Sequence, residues 1–313
     1  MVKLRSAYYC NLKLILIFMV IYGHLIEREI WQSEFLMLQY KWIYMIHMPM
    51  FSFLSGLFLT NAGQCGQQLV RMLPLYLVLQ TLAVICSGGE IRLLTPYWHL
   101  WYLLSNCIWL AIAWTWHRFF YGKGKTLVLV ASIAAGCAVG YASFIGRDFS
   151  LSRTVVFFPY FWLGLIGNPQ FRWDRLRRIA LLTLAAAGAL MLWIDEKISV
   201  SLLYQATAYS DPIGAVHRLV CYLIAGGFGL FLLALMPGRR FIFTKLGTDT
   251  MYSYLLHAPF VLCLRPYRLP WPCYILITAG FMMITERSFR WFSNIHGIVS
   301  ERKNVGGYLS KRL

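Results

Sequence analysis

Long stretches without a single charged side chain run through the chain, and they restrict what it can fold into. Between successive Asp, Glu, Lys and Arg residues lie uncharged runs at 42–70, 72–89, 93–117, 126–146, 154–171, 179–194, 219–238, 250–264 and 269–285. A helix needs roughly 17–25 largely apolar residues to cross a hydrocarbon core about 30 Å thick, so these runs are of spanning length or close to it. Residues 6–26 add one more, provided Lys13 is counted inside it. The pattern predicts an all-α polytopic membrane protein of about ten transmembrane helices, with 1–313 as a single domain. A membrane β-barrel would instead show short alternating segments of roughly ten residues, which the sequence lacks. Composition agrees, since 59% of residues are hydrophobic and only 13% are charged. That share of charge is about half of what a soluble domain carries.

The few charges are strongly biased, with 29 Lys and Arg against 12 Asp and Glu, a net +17. A basic balance of this size suggests nucleic acid, but here the basic residues are scattered between apolar runs and form no stripe or tail, so no nucleic-acid partner is expected. The partner is the lipid bilayer. Loops on the cytoplasmic side of a membrane protein are enriched in Lys and Arg. With both termini cytoplasmic, the ten-helix reading puts 20 basic and 4 acidic residues inside, and 9 basic and 8 acidic outside. The first helix lacks a small-residue cleavage site after its apolar stretch, so it is read as a retained helix and not as a signal peptide. Eight cysteines, with no CxxC pair, read as small core residues, and no metal site is expected.

Ionisable residues in hydrocarbon are costly and are functional candidates by default. Lys13 and His24 stand eleven residues apart, which at about 100° per residue is within roughly 20° of three full turns. They therefore share one face of the first helix, separated by roughly 16 Å along its axis. Glu27, three residues beyond His24, is placed to orient the imidazole and raise its basicity. Two readings of this face stay open. Lys13 either snorkels to the headgroups or meets an anionic substrate, and His24 is either a satisfied core histidine or an acid–base group. Three further histidines fall in or beside spans: His47 at the outer end of the second, His99 at the start of the fourth, and His257 near the middle of the ninth. The polar stretch around 195–218 reads as an outer loop.

These residues sit in motifs that resemble the membrane acyltransferase 3 family, in particular its fucose 4-O-acetylase-like branch. Asn11-Leu12-Lys13 through Ile21-Tyr22-Gly23-His24 is similar to the family's first helix. Ile46-His47-Met48-Pro49-Met50-Phe51 with Ser55-Gly56 resembles the next motif, and Arg71 with Pro74 resembles the one expected at the start of the third helix. His99-Leu100-Trp101-Tyr102-Leu103, Phe157-Phe158-Pro159-Tyr160-Phe161-Trp162-Leu163-Gly164 and Gly247 through His257 follow in the family's order. The resemblance covers roughly residues 10–260. The sequence departs from the pattern at Cys10, where an Asp is common, at Leu14, where a Gly is, and at Gln68, where a basic residue often stands.

The resemblance implies a membrane-bound O-acyltransferase that moves an acyl group, most often acetyl, from cytoplasmic acyl-CoA to a hydroxyl of a sugar, polysaccharide or glycolipid. Acyl-CoA is then a co-substrate and no cofactor is expected. It implies His24 and Glu27 as the catalytic pair, and Lys13, His47, Arg71, His99 and His257 as substrate-binding residues. The implied location is the cytoplasmic membrane of a bacterium. Two other classes are weighed beside it. A transporter or flippase of glycolipid precursors would show internal repeats with broken helices, and none is visible. A non-catalytic membrane subunit of the same fold is consistent with the departures at Cys10 and Gln68.

Overall fold

The computed structural model describes residues 2–88, 92–120, 123–142, 145, 150–196 and 199–295. The C-terminal stretch 296–313, expected on the cytoplasmic side, lies outside them. All regular structure among the described residues is helical: α1 (Val2–Ile26), α2 (Glu34–Leu57), α3 (Ala62–Cys86), α4 (Trp101–Phe119), α5 (Lys125–Ala138), α6 (Leu151–Ile166), α7 (Arg177–Ile194), α8 (Val200–Tyr204), α9 (Gly214–Leu235), α10 (Thr250–Leu264) and α11 (Trp271–Ile295). By length and composition, the segments Ala7–Ile26, Ala62–Cys86, Trp173–Ile194 and Gly214–Leu235 are long and apolar enough to cross a membrane, and shorter apolar helices accompany them. Large apolar side chains point outward along these helices, among them Val70, Leu127, Leu182, Leu223 and Leu276. An outward apolar surface of this extent is what lipid, as solvent, permits.

Several helix ends differ from the charge-delimited runs. The 42–70 run is broken at 58–61, so Arg71 lies well inside α3 and not at a helix start. Lys41 lies inside α2, and Arg218 lies in the second turn of α9. The 195–218 stretch holds α8 and the first turn of α9. The physical reason is that a charge interrupts hydropathy without interrupting helical hydrogen bonding: long basic side chains carry their heads away from the backbone. What ends α2 and starts α3 is local chemistry. The Asn61 side chain accepts from Gln64 N at 3.0 Å, while Gln64 Oε1 accepts from Thr60 N at 2.8 Å, a reciprocal cap. Pro49, Pro74, Pro159 and Pro259 lie inside helices, a placement that packed membrane helices tolerate.

Contacts divide the chain into two compact units, a terminal unit of Met1–Ile43 with Leu235–Leu313 and a central unit of Tyr44–Ala234. In the terminal unit, α10 and α11 pack antiparallel, with Ser253 and Thr285 hydroxyls 2.8 Å apart and the Phe260 and Phe281 rings stacked at 4.1 Å. Lys13 meets Thr248 and His24 meets His257, so α1 and α10 run in the same direction.

The central unit buries Trp109, Phe161 and Trp162 completely. In that unit α2 and α6 cross closely. A Cβ on Gly56 would overlap the Phe161 carbonyl, and one on Gly164 would overlap the Phe53 carbonyl. Backbone therefore meets backbone through two glycines, the small-residue packing that membrane helices use. The Ser105 and Thr154 hydroxyls, 2.7 Å apart, and Trp109 Nε1, donating to Thr154 O at 2.9 Å, fasten α4 to α6. Gly164→Ala should destabilise the protein by about 1–3 kcal/mol, because one helix must move to admit the methyl group. Thermal unfolding in detergent measures this, and an unchanged melting temperature contradicts the close crossing.

Candidate functional site

In the terminal unit, α1 carries polar side chains on two sides, Asn11 with Tyr22 on one and Lys13 with His24 on the other. Near the start of that helix, Asn11 is buried. Its Nδ2 donates to Pro237 O at 2.8 Å and to Arg239 O at 3.0 Å, and its Oδ1 accepts from Thr244 Oγ1 at 2.6 Å. Thr244 Oγ1 in turn accepts from Phe241 N at 2.8 Å. One side chain thus holds the irregular segment between α9 and α10 against the first helix. Gly247 closes the contact, since a Cβ there would overlap the Cys10 carbonyl and crowd Leu14 N. Gly247 therefore stands against the turn of α1 that carries Cys10 and Leu14.

Two residues beyond Asn11, Lys13 Nζ donates to Thr248 O at 3.2 Å. The ammonium is partly exposed, and its acceptor Thr248 closes the segment before α10 that also carries Arg239, Arg240 and Lys245. A hydrogen bond to one carbonyl uses one of its three donors.

His24 occupies the last turn of α1 and Glu27 the turn that follows. Nδ1 of His24 is 3.3 Å from Glu27 Oε2, and the side chains are 14% and 23% exposed. A carboxylate only accepts, so it selects the tautomer with the proton on Nδ1 and leaves Nε2 as the basic atom. The His24 ring lies near-parallel to that of His257, at 22° and 5.3 Å between centroids. His257 is fully buried in the middle of α10, and its Nδ1 hydrogen-bonds the Tyr254 carbonyl. Because a carbonyl can only accept, that contact fixes the second imidazole as well. Tyr22, two residues before His24 and so on the opposite side of α1, donates its hydroxyl to Gln39 Oε1 at 2.8 Å.

Of the residues singled out from sequence, Lys13, His24, Glu27 and His257 come together in this unit. The others belong to the central unit. His47 lies in the middle of α2, at 3% exposure, with its ring edge-on to Tyr44 at 4.9 Å. His99 does not begin α4; it sits in the 3-10 turn Trp98–Leu100 just before it. That turn is held from α3, where the buried Gln80 donates to Arg92 O and Thr95 O, both at 2.9 Å, and accepts from Tyr97 N at 2.8 Å. The hold matters because Trp98 has a φ of 34°, a left-handed conformation that costs a bulky residue energy. Arg71 is exposed on α3. Among the described residues no group of three or more His, Cys, Asp or Glu could hold a metal ion.

In the sequence Asn11 stands out only as part of a motif, and Gln80 and Thr244 do not stand out. The signal for all three was a neutral hydrogen-bonding side chain inside or beside an apolar run, which charge counting does not register.

A family model described as an acyltransferase domain matches residues 7–286, nearly the whole chain. No curated protein matches the sequence and no solved structure matches it. Asn11→Leu should destabilise the protein by about 1–3 kcal/mol, because it removes both bonds to segment 237–239 and leaves the buried Thr244 hydroxyl without its acceptor. It should also raise the protease sensitivity of segment 237–249, which limited digestion of the protein in membranes would read.

Proposed function

We propose, for a chain that belongs to the acyltransferase 3 family, that it transfers an acyl group from acyl-CoA to a sugar or glycolipid hydroxyl, with His24 as general base. The observation that carries this reading is the imidazole of His24 held between Glu27 Oε2 at 3.3 Å and the flat face of His257. An imidazole with one nitrogen tied to a carboxylate and the other left basic is the arrangement that proton abstraction from a hydroxyl needs.

In the proposed reaction His24 Nε2 takes the proton of the acceptor hydroxyl as its oxygen attacks the thioester carbonyl carbon. The tetrahedral oxyanion collapses, the C–S bond breaks, and the imidazolium returns its proton to the departing CoA thiolate. An O-acyl ester and free CoA-SH result, with atoms and protons balanced. Glu27 is the positioning residue, and its charge favours the imidazolium that forms midway. His257 backs the ring and limits its rotation.

Lys13 is proposed as the contact for the donor's phosphates. Its hydrogen bond to Thr248 O at 3.2 Å places the ammonium beside the basic segment carrying Arg239, Arg240 and Lys245, and cations on one segment concentrate polyanionic ligands. His47, Arg71 and His99 are proposed as further substrate contacts within the central unit, on the strength of the family motifs they occupy. Assignment to the fucose 4-O-acetylase-like branch and to a bacterial cytoplasmic membrane belongs to the same proposal.

His24→Ala should lower transfer from labelled acetyl-CoA in intact membranes by about 100-fold or more, the scale of a lost general base. Glu27→Gln should lower kcat with little change in the KM for either substrate. Full activity in His24→Ala at normal expression overturns the catalytic role. For Lys13, the expected result is a raised KM for acyl-CoA in Lys13→Ala, unchanged acceptor dependence, and recovery in Lys13→Arg. A donor KM equal to wild type in Lys13→Ala would leave the lysine a headgroup anchor.

A further inference from the structure

The central unit contains a buried cation that the proposed chemistry does not use. Arg218, in the second turn of α9, is 1% exposed. Its Nη1 donates to Gly136 O at 3.3 Å, and its guanidinium carbon lies 4.9 Å from the centre of the Tyr209 ring. Nε and Nη2 are buried and have no hydrogen-bond partner. Among the described residues no carboxylate pairs with it, and Asp211, the acid nearest in sequence, faces His217 at 3.8 Å. An arginine stays charged in proteins, and a buried charge without a counter-charge is strongly unfavourable. A site that keeps one in place implies something that meets it.

The two unpartnered nitrogens are the informative detail. Nε and Nη2 share one edge of the planar guanidinium, the edge that donates two parallel hydrogen bonds to a carboxylate. Arg218 also lines a small cavity of about 20 Å³, together with Gln205, Phe157, Tyr160, Cys221 and Tyr222. A cavity needs about 10–15 Å³ to hold one water, so this one has room for the two-oxygen head of a carboxylate, and whatever carries that head stays outside it. Gln205 is 6% exposed, and its Oε1 is likewise buried without a partner. Amide oxygen and nitrogen exchange places by a half-turn, so Gln205 can offer a third donor to the same oxyanion.

The surroundings are built to hold the guanidinium still. Tyr209, under it, packs closely against two glycines, because a Cβ on either Gly140 or Gly214 would overlap its ring. Its hydroxyl donates to Cys137 O at 2.8 Å and its backbone N donates to Gly140 O at 2.7 Å. Tyr222, on the cavity wall, donates its hydroxyl to Val156 O at 2.8 Å. Gln205 itself closes α8 with a φ of 56°, a left-handed conformation that a non-glycine residue seldom adopts. Its carbonyl is fixed by Ser152 Oγ at 2.7 Å.

We propose that this cavity is a carboxylate-binding site in which the Nε–Nη2 edge of Arg218 and the amide of Gln205 grip one carboxylate. Two sources supply that chemistry, a free short-chain acid or the acid group of an acidic sugar. The site itself does not depend on acyl transfer; only the second source rests on the sugar-acceptor reading above.

The test uses the full chain in lipid nanodiscs, with no acyl donor present. Its melting temperature is followed against sodium acetate, sodium glucuronate, glucose and sodium chloride, the salts matched in ionic strength. A ligand that binds only the folded state raises the melting temperature by mass action. Stabilisation by acetate and glucuronate places the site's preference on any small acid; stabilisation by glucuronate alone places it on the acidic sugar. Either supports the proposal, provided glucose and chloride have no effect. Arg218→Lys keeps the charge but loses the fork and should weaken binding at least about tenfold. Gln205→Glu puts a carboxylate into the same cavity, so it should melt higher than wild type without ligand and respond to none. If neither acid stabilises the wild type, or if Gln205→Glu melts at or below wild type and still responds to acid, the cavity holds water only and the proposal falls. Because this assay reads binding alone, inactive His24 variants would leave it untouched, and its failure would leave the transfer reading standing.

Discussion

Carbonyl groups at the breaks between helices must find donors, and this requirement governs how the chain is assembled. Inside a helix the backbone satisfies itself; where the helix stops within or near hydrocarbon, it cannot. Asn11 serves Pro237 and Arg239, and Gln80 serves Arg92 and Thr95. The indoles of Trp116 and Trp162 donate to Lys123 O and Lys125 O, at 2.8 and 2.9 Å, on either side of Gly124. Ser152 and Arg153 donate to Gln205 O and Tyr204 O at the end of α8. Each break is held by a neutral amide, indole or hydroxyl, or by an arginine, reaching from a helix of the same unit. The functional groups lie beside these points: Lys13 next to Asn11, His99 beyond the loop that Gln80 holds, and Arg218 in one cavity with Gln205.

This explains which parts of the molecule were legible in the sequence. Class and helical architecture follow from the scarcity of charge, because hydrocarbon admits few other solutions. The relation of His24 to Glu27 follows from an i,i+3 spacing, and the side chains do meet. The helix ends are less legible, since Arg71 and Arg218 bound uncharged runs and yet lie within helices. Hydropathy measures transfer cost, whereas helix ends are set by caps such as Asn61 with Gln64, whose side chains are uncharged.

Long-range partnerships could not be read from spacing at all. His24 and His257 are separated by the whole central unit, and no periodicity connects them. Both stand out as ionisable groups within spans and the family resemblance includes both, but neither signal puts one beside the other. The same holds for Arg218, whose burial depends on Gly136, Gly140, Tyr209 and Gly214, four residues with no charge and no motif. Small residues leave little trace in a composition-based reading, yet here they decide which ring or guanidinium can be enclosed.

The terminal unit draws its two halves from opposite ends of the coding order, and that has a consequence for biogenesis. When α1 leaves the ribosome and enters the bilayer, the acceptors for Asn11 and Lys13 and the ring that covers His24 have not been translated. The helix must wait in lipid, with three polar side chains uncovered, until α10 is inserted. That interval is long compared with the time helices take to pair. Whatever holds the nascent first helix meanwhile, whether the insertion machinery or headgroup water, is released only when the late helices dock. Those helices act as a late checkpoint: a chain interrupted before them leaves polar side chains on two sides of α1 uncovered in the membrane, the kind of signal by which quality-control proteases recognise incomplete membrane proteins.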